Sequence, residues 1–293
     1  MNRTAKGPLS RLLAAPHILW SVLFILIPLA FVAFYAFTET TEQNGIRFTL
    51  EHIQLFFTPK YLHVFLRSVK LAAIASVICL VIGYPAAYFI SRTSPNAQKI
   101  LVVLIMLPMW TNFIIRTYAL SEVLEVLNNG AVFLLSLLPE SLVPIPLDPK
   151  PDILVYNEFA VVIGMVYDFL PYMILPIYSV MAKLDYRLVE AAQDLGCNGF
   201  AVLRKVILPL SIPGVLSGIT MVFVPCVSTF IISDLLGGGK DMLLGDLIQM
   251  QFAGTAYNPY LGSAIALVMM VIVMICQTVM NRFGEGEEQA VML

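Results

Sequence analysis

The sequence predicts an all-α integral membrane protein with six transmembrane helices. Of its 293 residues, 59% are hydrophobic and 12% are charged, about half the charged share of soluble globular domains. Mean hydropathy is +0.86. Long stretches without formal charge also recur along the chain, most of them near the roughly 20 apolar residues that a helix needs to cross the hydrocarbon core. With 17 Lys and Arg against 19 Asp and Glu, there is no overall basic field to attract nucleic acid.

Charge gaps place the spans at about 17–37, 71–91, 100–120, 159–182, 210–234 and 260–280. Together they form a permeating domain over 17–280, between an N-terminal segment 1–16 and an acidic tail 281–293 expected to fray. The basic opening could pass for a signal peptide, but the apolar run extends to Phe37 with no small-residue cleavage pattern, so the first helix is expected to be retained. The third gap closes at Arg116, and 121–130 read as a short interfacial helix stopped by Asn128, Asn129 and Gly130. Proline-rich 138–152 cannot form a regular helix and reads as an external loop.

An even span number puts both termini on one side. If that side is cytoplasmic, it holds Arg3, Lys6, Arg11, Arg92, Lys99, Lys183, Arg187, Arg204, Lys205 and Arg282, the larger share of the basic residues. Most acids then lie outside or within the spans, a field that would concentrate a cation.

The one large internal connection, 183–209, predicts a helix-turn-helix elbow. Asp185 is a suitable N-cap, Gly196 suits a sharp turn, and a second short helix over about 199–207 is expected to stop before Pro209. Its exposed side should carry Tyr186, Leu188 and Val189 beside Glu190, Ala191 and Ala192. The two alanines leave a low flank that could enter a partner's groove, and Glu190 could meet a basic group there. An amphipathic helix lying on lipid headgroups is the alternative.

Glu190-Ala191-Ala192, three residues, Gly196, nine residues and Val206-Ile207-Leu208-Pro209 resemble the EAA signature of ABC importer permeases, E-A-A-x3-G-x9-I-x-L-P, with Val206 in place of the usual isoleucine. Segments 107–120, 166–185, 189–196 and 232–252 are similar to the permeases of spermidine/putrescine importers, and the similarity spans most of 17–280. The resemblance implies a type I importer fold in a bacterial inner membrane. It implies four further components: a second permease forming a heterodimer, two cytoplasmic ATPases and an external polyamine-binding protein. Glu190, Ala191, Ala192 and Gly196, with Arg187 and Asp194, would then form the coupling helix seated on the ATPase. This chain has no G-x-x-x-x-G-K-[ST] loop, so ATP and Mg are expected on the partner, with no cofactor here and no catalytic role for the chain.

Ionisable groups within spans are costly and ask for a reason. Asp168, between Tyr167 and Phe169 and followed by Pro171 and Pro176, suits either an ammonium cargo or an internal ion pair with Arg116. Trp110, Asn112 and Arg116 fall in the outer half of span three, and Thr229 and Asp234 close span five; all are candidates for the cargo pathway. Gly237 to Gly239, running on to Lys240, Asp241 and Asp246, read as a gate, a docking turn for the binding protein or a plain flexible loop. Gly214 and Gly218 suggest close helix packing against the second permease. His17, His52 and His63 lie apart, and Cys79, Cys197, Cys226 and Cys276 are scattered, so no metal set is expected. A secondary transporter driven by an ion gradient is the rival, but its usual paired broken half-sequences are not evident.

Overall fold

A computed structural model describes residues 16–41, 45–137, 151–185, 187–239, 242–254 and 257–291, with side chains described to 280. Expectations for the N-terminal segment, residues 138–150, Tyr186, Lys240, Asp241 and the tail side chains lie outside the described residues. Among the described residues, six helices are long and apolar enough to cross a membrane. The chain divides into two compact units, Met1–Leu62 with Ile248–Ile272, and His63–Leu247 with Val273–Leu293.

In the first unit, α1 (Pro16–Ala36) contains a π turn at Val22–Leu26 just before Pro28. A proline has no N–H to donate and its ring crowds the preceding turn, and a widened turn absorbs both. None of the apolar window of α1 is buried within the chain. Trp20, Phe24 and Phe31 stand outward, a surface that suits lipid or a partner subunit. The all-helical expectation omits a small hairpin, β1 (Thr38–Thr41) and β2 (Gly45–Phe48), which sets Glu39 opposite Arg47. Helix α2 (Glu51–Phe56) follows.

The second unit holds most of α3 (Pro59–Arg92), then α4 (Pro95–Met106), which ends in a tight 3-10 turn at Leu107–Trp110. Next come α5 (Phe113–Ser136), α6 (Glu158–Met181), α7 (Arg187–Asp194), α8 (Gly199–Ser228), α9 (Ile231–Gly237) and the start of α10 (Leu244–Ala253). Helix α11 (Pro259–Val291) begins in the first unit, where Asn258 caps it by accepting from the Leu261 N–H at 3.1 Å.

Helix α6 is the centre of the second unit. It buries 61% of its apolar window, including Met165, Met173 and Ile177. Helix α8 packs along it through Gly214 and Gly218. A Cβ at Gly214 would lie 3.0 Å from the Pro176 carbonyl oxygen, and one at Gly218 would lie 2.8 Å from Met173 Sδ. The small-residue pair therefore serves packing inside this chain, which corrects the expectation of a second permease at that stripe. No side chain fits between two backbones this close.

Helix α3 begins at Pro59, well before the expected 71, and other boundaries differ too. The stretch expected as one span at 100–120 is divided by the 3-10 turn and the extended Thr111. Helix α5 runs straight through Asn128-Asn129-Gly130 to Ser136. The helix expected to stop before Pro209 continues through a π turn at Leu203–Ile207 into α8, which ends at Ser228 and not near 234.

Candidate functional site

The elbow between α6 and α8 is built from local chemistry. Asp185 Oδ1 accepts from the Arg187 N–H at 3.0 Å and starts α7. At its end, the Gly196 N–H donates to the Gln193 carbonyl at 2.8 Å and the Cys197 N–H to the Ala192 carbonyl at 3.0 Å. Those two bonds define a Schellman stop, whose turning residue must be left-handed, and Gly196 has φ +85°. Two residues later Asn198 accepts from the Ala201 N–H at 2.8 Å and starts α8. Gly196-Cys197-Asn198 thus closes one helix and opens the next within three residues.

Val189 faces inward, 7% exposed, and Ala192 packs beside the core, while Arg187, Glu190, Ala191 and Asp194 are exposed. Leu188, Leu195 and Phe200 stand out beside them, Leu195 at 86% and Phe200 at 70% exposure. The elbow therefore shows a carboxylate rimmed by apolar side chains, a surface that can seat in a partner's groove.

The second cluster lies where α5 begins. Asn112 caps α5 by accepting from the Ile114 and Ile115 N–H groups at 2.9 and 3.3 Å, so its side chain is engaged in the helix start. One turn on, Arg116 Nε donates to Asp168 Oδ1 at 2.5 Å and Nη1 donates to the Pro108 carbonyl at 2.7 Å. The Thr117 hydroxyl donates to Asp168 Oδ2 at 2.9 Å. The rings of Phe113 and Tyr167 lie 5.9 and 5.8 Å from the guanidinium carbon. Asp168 has no exposed surface and the Arg116 side chain only 8%.

Of the two readings open for Asp168, this is the geometry of the internal ion pair. Both carboxylate oxygens are occupied, and the pair ties α6 to α5 and to the 3-10 turn before it. Thr117 and the Pro108 carbonyl were missed by the sequence reading, although Thr117 adjoins Arg116 and Pro108 is where a helix start would be sought. Among the remaining pathway candidates, Tyr167 joins this cluster only through its ring, and Trp110, Thr229 and Asp234 join it through no hydrogen bond or ion pair described. Trp110 is 72% exposed, Tyr167 46%, and Asp234 is exposed, whereas Thr229 is buried in the extended break after α8. Among the described residues, no three His, Cys, Asp or Glu side chains gather where they could hold a metal ion.

Residues 79–284 match the binding-protein-dependent transport system inner membrane component family. The chain belongs to that family. It is 38% identical over 255 residues to the spermidine/putrescine transport system permease PotB of Haemophilus influenzae, covering 86% of each chain. Its fold matches a bacterial ABC transporter involved in import of the acidic polysaccharide alginate, with TM-score 0.71 at 14% identity over 94% of this chain and 95% of that one. A second alginate transporter structure, in complex with an alginate pentasaccharide-bound periplasmic protein, matches with TM-score 0.68, also at 14% identity, over 94% and 93% of the two chains. This permease is therefore a membrane subunit of an ABC importer with the type I fold, and the six apolar helices have the length and composition of its spans.

Proposed function

We propose that this permease carries polyamines, spermidine and putrescine, inward across a bacterial inner membrane with both termini cytoplasmic. It works as a heterodimer with a second permease, on a dimer of ATPase subunits that bind ATP and Mg, and receives cargo from an external polyamine-binding protein. The observation that carries the substrate is the 38% identity to the Haemophilus influenzae spermidine/putrescine permease across nearly the whole chain. The cationic cargo also suits the acidic external side predicted from the sequence.

In this reading α7 is the coupling helix. Glu190, Ala191 and Ala192 enter the ATPase groove, Arg187 and Asp194 flank them, and Gly196 holds the turn that transmits the motion. Trp110, Tyr167, Thr229 and Asp234 contribute to the pathway, and Arg116 with Asp168 and Asn112 holds the broken helix beside it.

The decisive experiment is ATP-dependent uptake of labelled spermidine and putrescine into vesicles holding this chain, its partner permease, the ATPase and the binding protein, omitting each in turn. Uptake that needs all four and ATP is the expected result; uptake by this chain alone down an ion gradient would refute it. Coupling has its own test. Glu190→Lys should leave the yield of assembled complex near the unmodified level and lower uptake by about tenfold or more, as expected for reversing one buried interface charge. Uptake at the unmodified rate would remove α7 from the coupling role.

A further inference from the structure

The first unit contains an open cavity of about 510 Å³ lined by Tyr35, Glu39, Thr40, His52, Tyr257 and Tyr260 among others. Its size falls within the range of about 300–1,000 Å³ usual for small-molecule sites. We propose that this cavity is an external binding site for an alkylammonium group, with Glu39 as counter-ion and the tyrosine rings as its walls.

Four observations converge on that chemistry. Glu39 is half-buried, and no ion pair is formed with Arg47, its exposed neighbour across the hairpin, nor with any other cation among the described residues. A carboxylate left in this state beside aromatic faces favours a cation. Tyr260 sits between Tyr35, 5.5 Å between ring centres, and His52, 5.9 Å and nearly parallel at 15°. Its hydroxyl is paired with Thr40 Oγ1, which fixes the ring in place. His52 is 6% exposed, and both of its ring nitrogens are buried without a hydrogen-bond partner. A buried imidazole of this kind is rare in a native structure and marks a polar site completed by something else.

The donors and acceptors choose between ligands. Glu39 offers only acceptors, so a ligand rich in N–H donors satisfies it. A quaternary ammonium has none to give. An anion would face Glu39 with no lysine or arginine among the described residues lining the cavity. A divalent cation would want several carboxylates, and Glu39 is the one carboxylate among the described lining residues. A primary ammonium at the end of an alkyl chain brings N–H donors to the carboxylate and a positive charge to the rings, and the open mouth leaves room for the chain. Because it identifies the ligand with one end of the cargo, the inference rests on the polyamine reading above.

The test is equilibrium binding of labelled spermidine to the assembled ATPase–permease complex in nanodiscs, without the binding protein, beside four-component uptake by the same preparation. Removing the counter-ion (Glu39→Gln) or the ring (Tyr260→Leu) should each weaken binding by about tenfold. Tyr260→Phe, which keeps the ring, should bind within about threefold of the unmodified complex, as should Glu51→Gln, an exposed carboxylate outside the cavity lining. Yield of the complex is followed for each variant, and Glu39→Gln carries the decision if Tyr260→Leu assembles poorly. Unchanged affinity in Glu39→Gln, or no binding by a complex that transports spermidine, overturns the site and leaves the polyamine reading standing. If the complex takes up neither polyamine, that reading falls, and butylammonium is titrated against the same variants. A Glu39-dependent butylammonium signal then keeps the site, and its absence removes it.

Discussion

At the scale of single residues, the buried Arg116–Asp168 pair has the most to lose. Breaking such a pair strands the remaining charge away from water, at a cost of about 3–5 kcal/mol, whereas apolar side chains in both places are often neutral. Asp168→Asn is therefore expected to lower the yield of assembled complex and uptake in parallel. Arg116→Leu together with Asp168→Leu should recover much of the yield. If Asp168→Asn assembles normally yet fails to transport, the carboxylate touches cargo in another conformation and the pair is not its main role. The residue types at this site were legible in the sequence because a charge inside a span demands a reason. Which reason applied was not, because 52 positions separate the partners and no spacing rule links them. Asn112 was singled out for the pathway by its place near Trp110, but its two backbone hydrogen bonds make it first of all a helix cap.

At the scale of elements, local rules succeeded where the chain obeys them alone. The elbow needed only an N-cap, a glycine at the left-handed position and a second cap, and the structure has all three. The divided third span was missed because counting charges cannot see Pro108 and Asn112 acting as a stop and a start within one apolar run. The expected stop at Asn128 was missed for the opposite reason. Asn128 is buried and spends its side chain on a neighbouring segment, accepting from the Ile153 and Leu154 N–H groups and donating to the Pro151 carbonyl. It therefore does not compete for its own helix backbone. Close packing of α8 on α6 gives one prediction at this scale: Gly218→Leu should cost about 1–3 kcal/mol by overpacking and reduce complex yield. Gly130→Leu, where an added Cβ meets nothing within 4 Å, should not.

The start of α10 gives another. Leu243 donates its N–H to Asp246 Oδ2 at 2.7 Å, while Leu244 donates to Ser68 Oγ at the same distance. Burial pushes the Asp246 carboxyl up to about 6, with the nearby Asp234 adding in the same direction and the Leu243 and Ser233 hydrogen bonds opposing it. The folded chain then holds this proton more tightly than the unfolded chain. Its contribution to stability grows as pH falls through about 6 towards 4 and is lost as pH rises. Asp246→Asn should melt at a higher temperature than the unmodified complex at about pH 8, and the difference should shrink by about pH 5. Equal pH responses would show that the carboxylate titrates as if in water.

At the scale of the whole molecule, the fold class was legible because a membrane protein writes its solvent into its composition. Six apolar runs in a chain with 12% charged residues leave few alternatives. The hairpin after the first span was not legible, being four residues a strand in a segment whose turn signal is weak. Orientation rests on the uneven split of basic residues and on the span count, and it can be measured without reference to transport. The hairpin follows span one and the elbow follows span four, so three crossings lie between them and they must face opposite sides. Arg47 in the hairpin and Leu195 in the elbow are both exposed, and the four native cysteines are buried or half-buried, so their replacement is feasible. In a cysteine-free background, Arg47→Cys should react with an impermeant maleimide on intact spheroplasts, and Leu195→Cys only once the membrane is opened. The reverse pattern would invert the protein, put α7 outside the cell and remove the ATPase as its partner. Labelling of both from outside would mean that an odd number of crossings does not separate them, and would place the error in the divided third span, the one of the three intervening stretches whose apolar run is built from two helices.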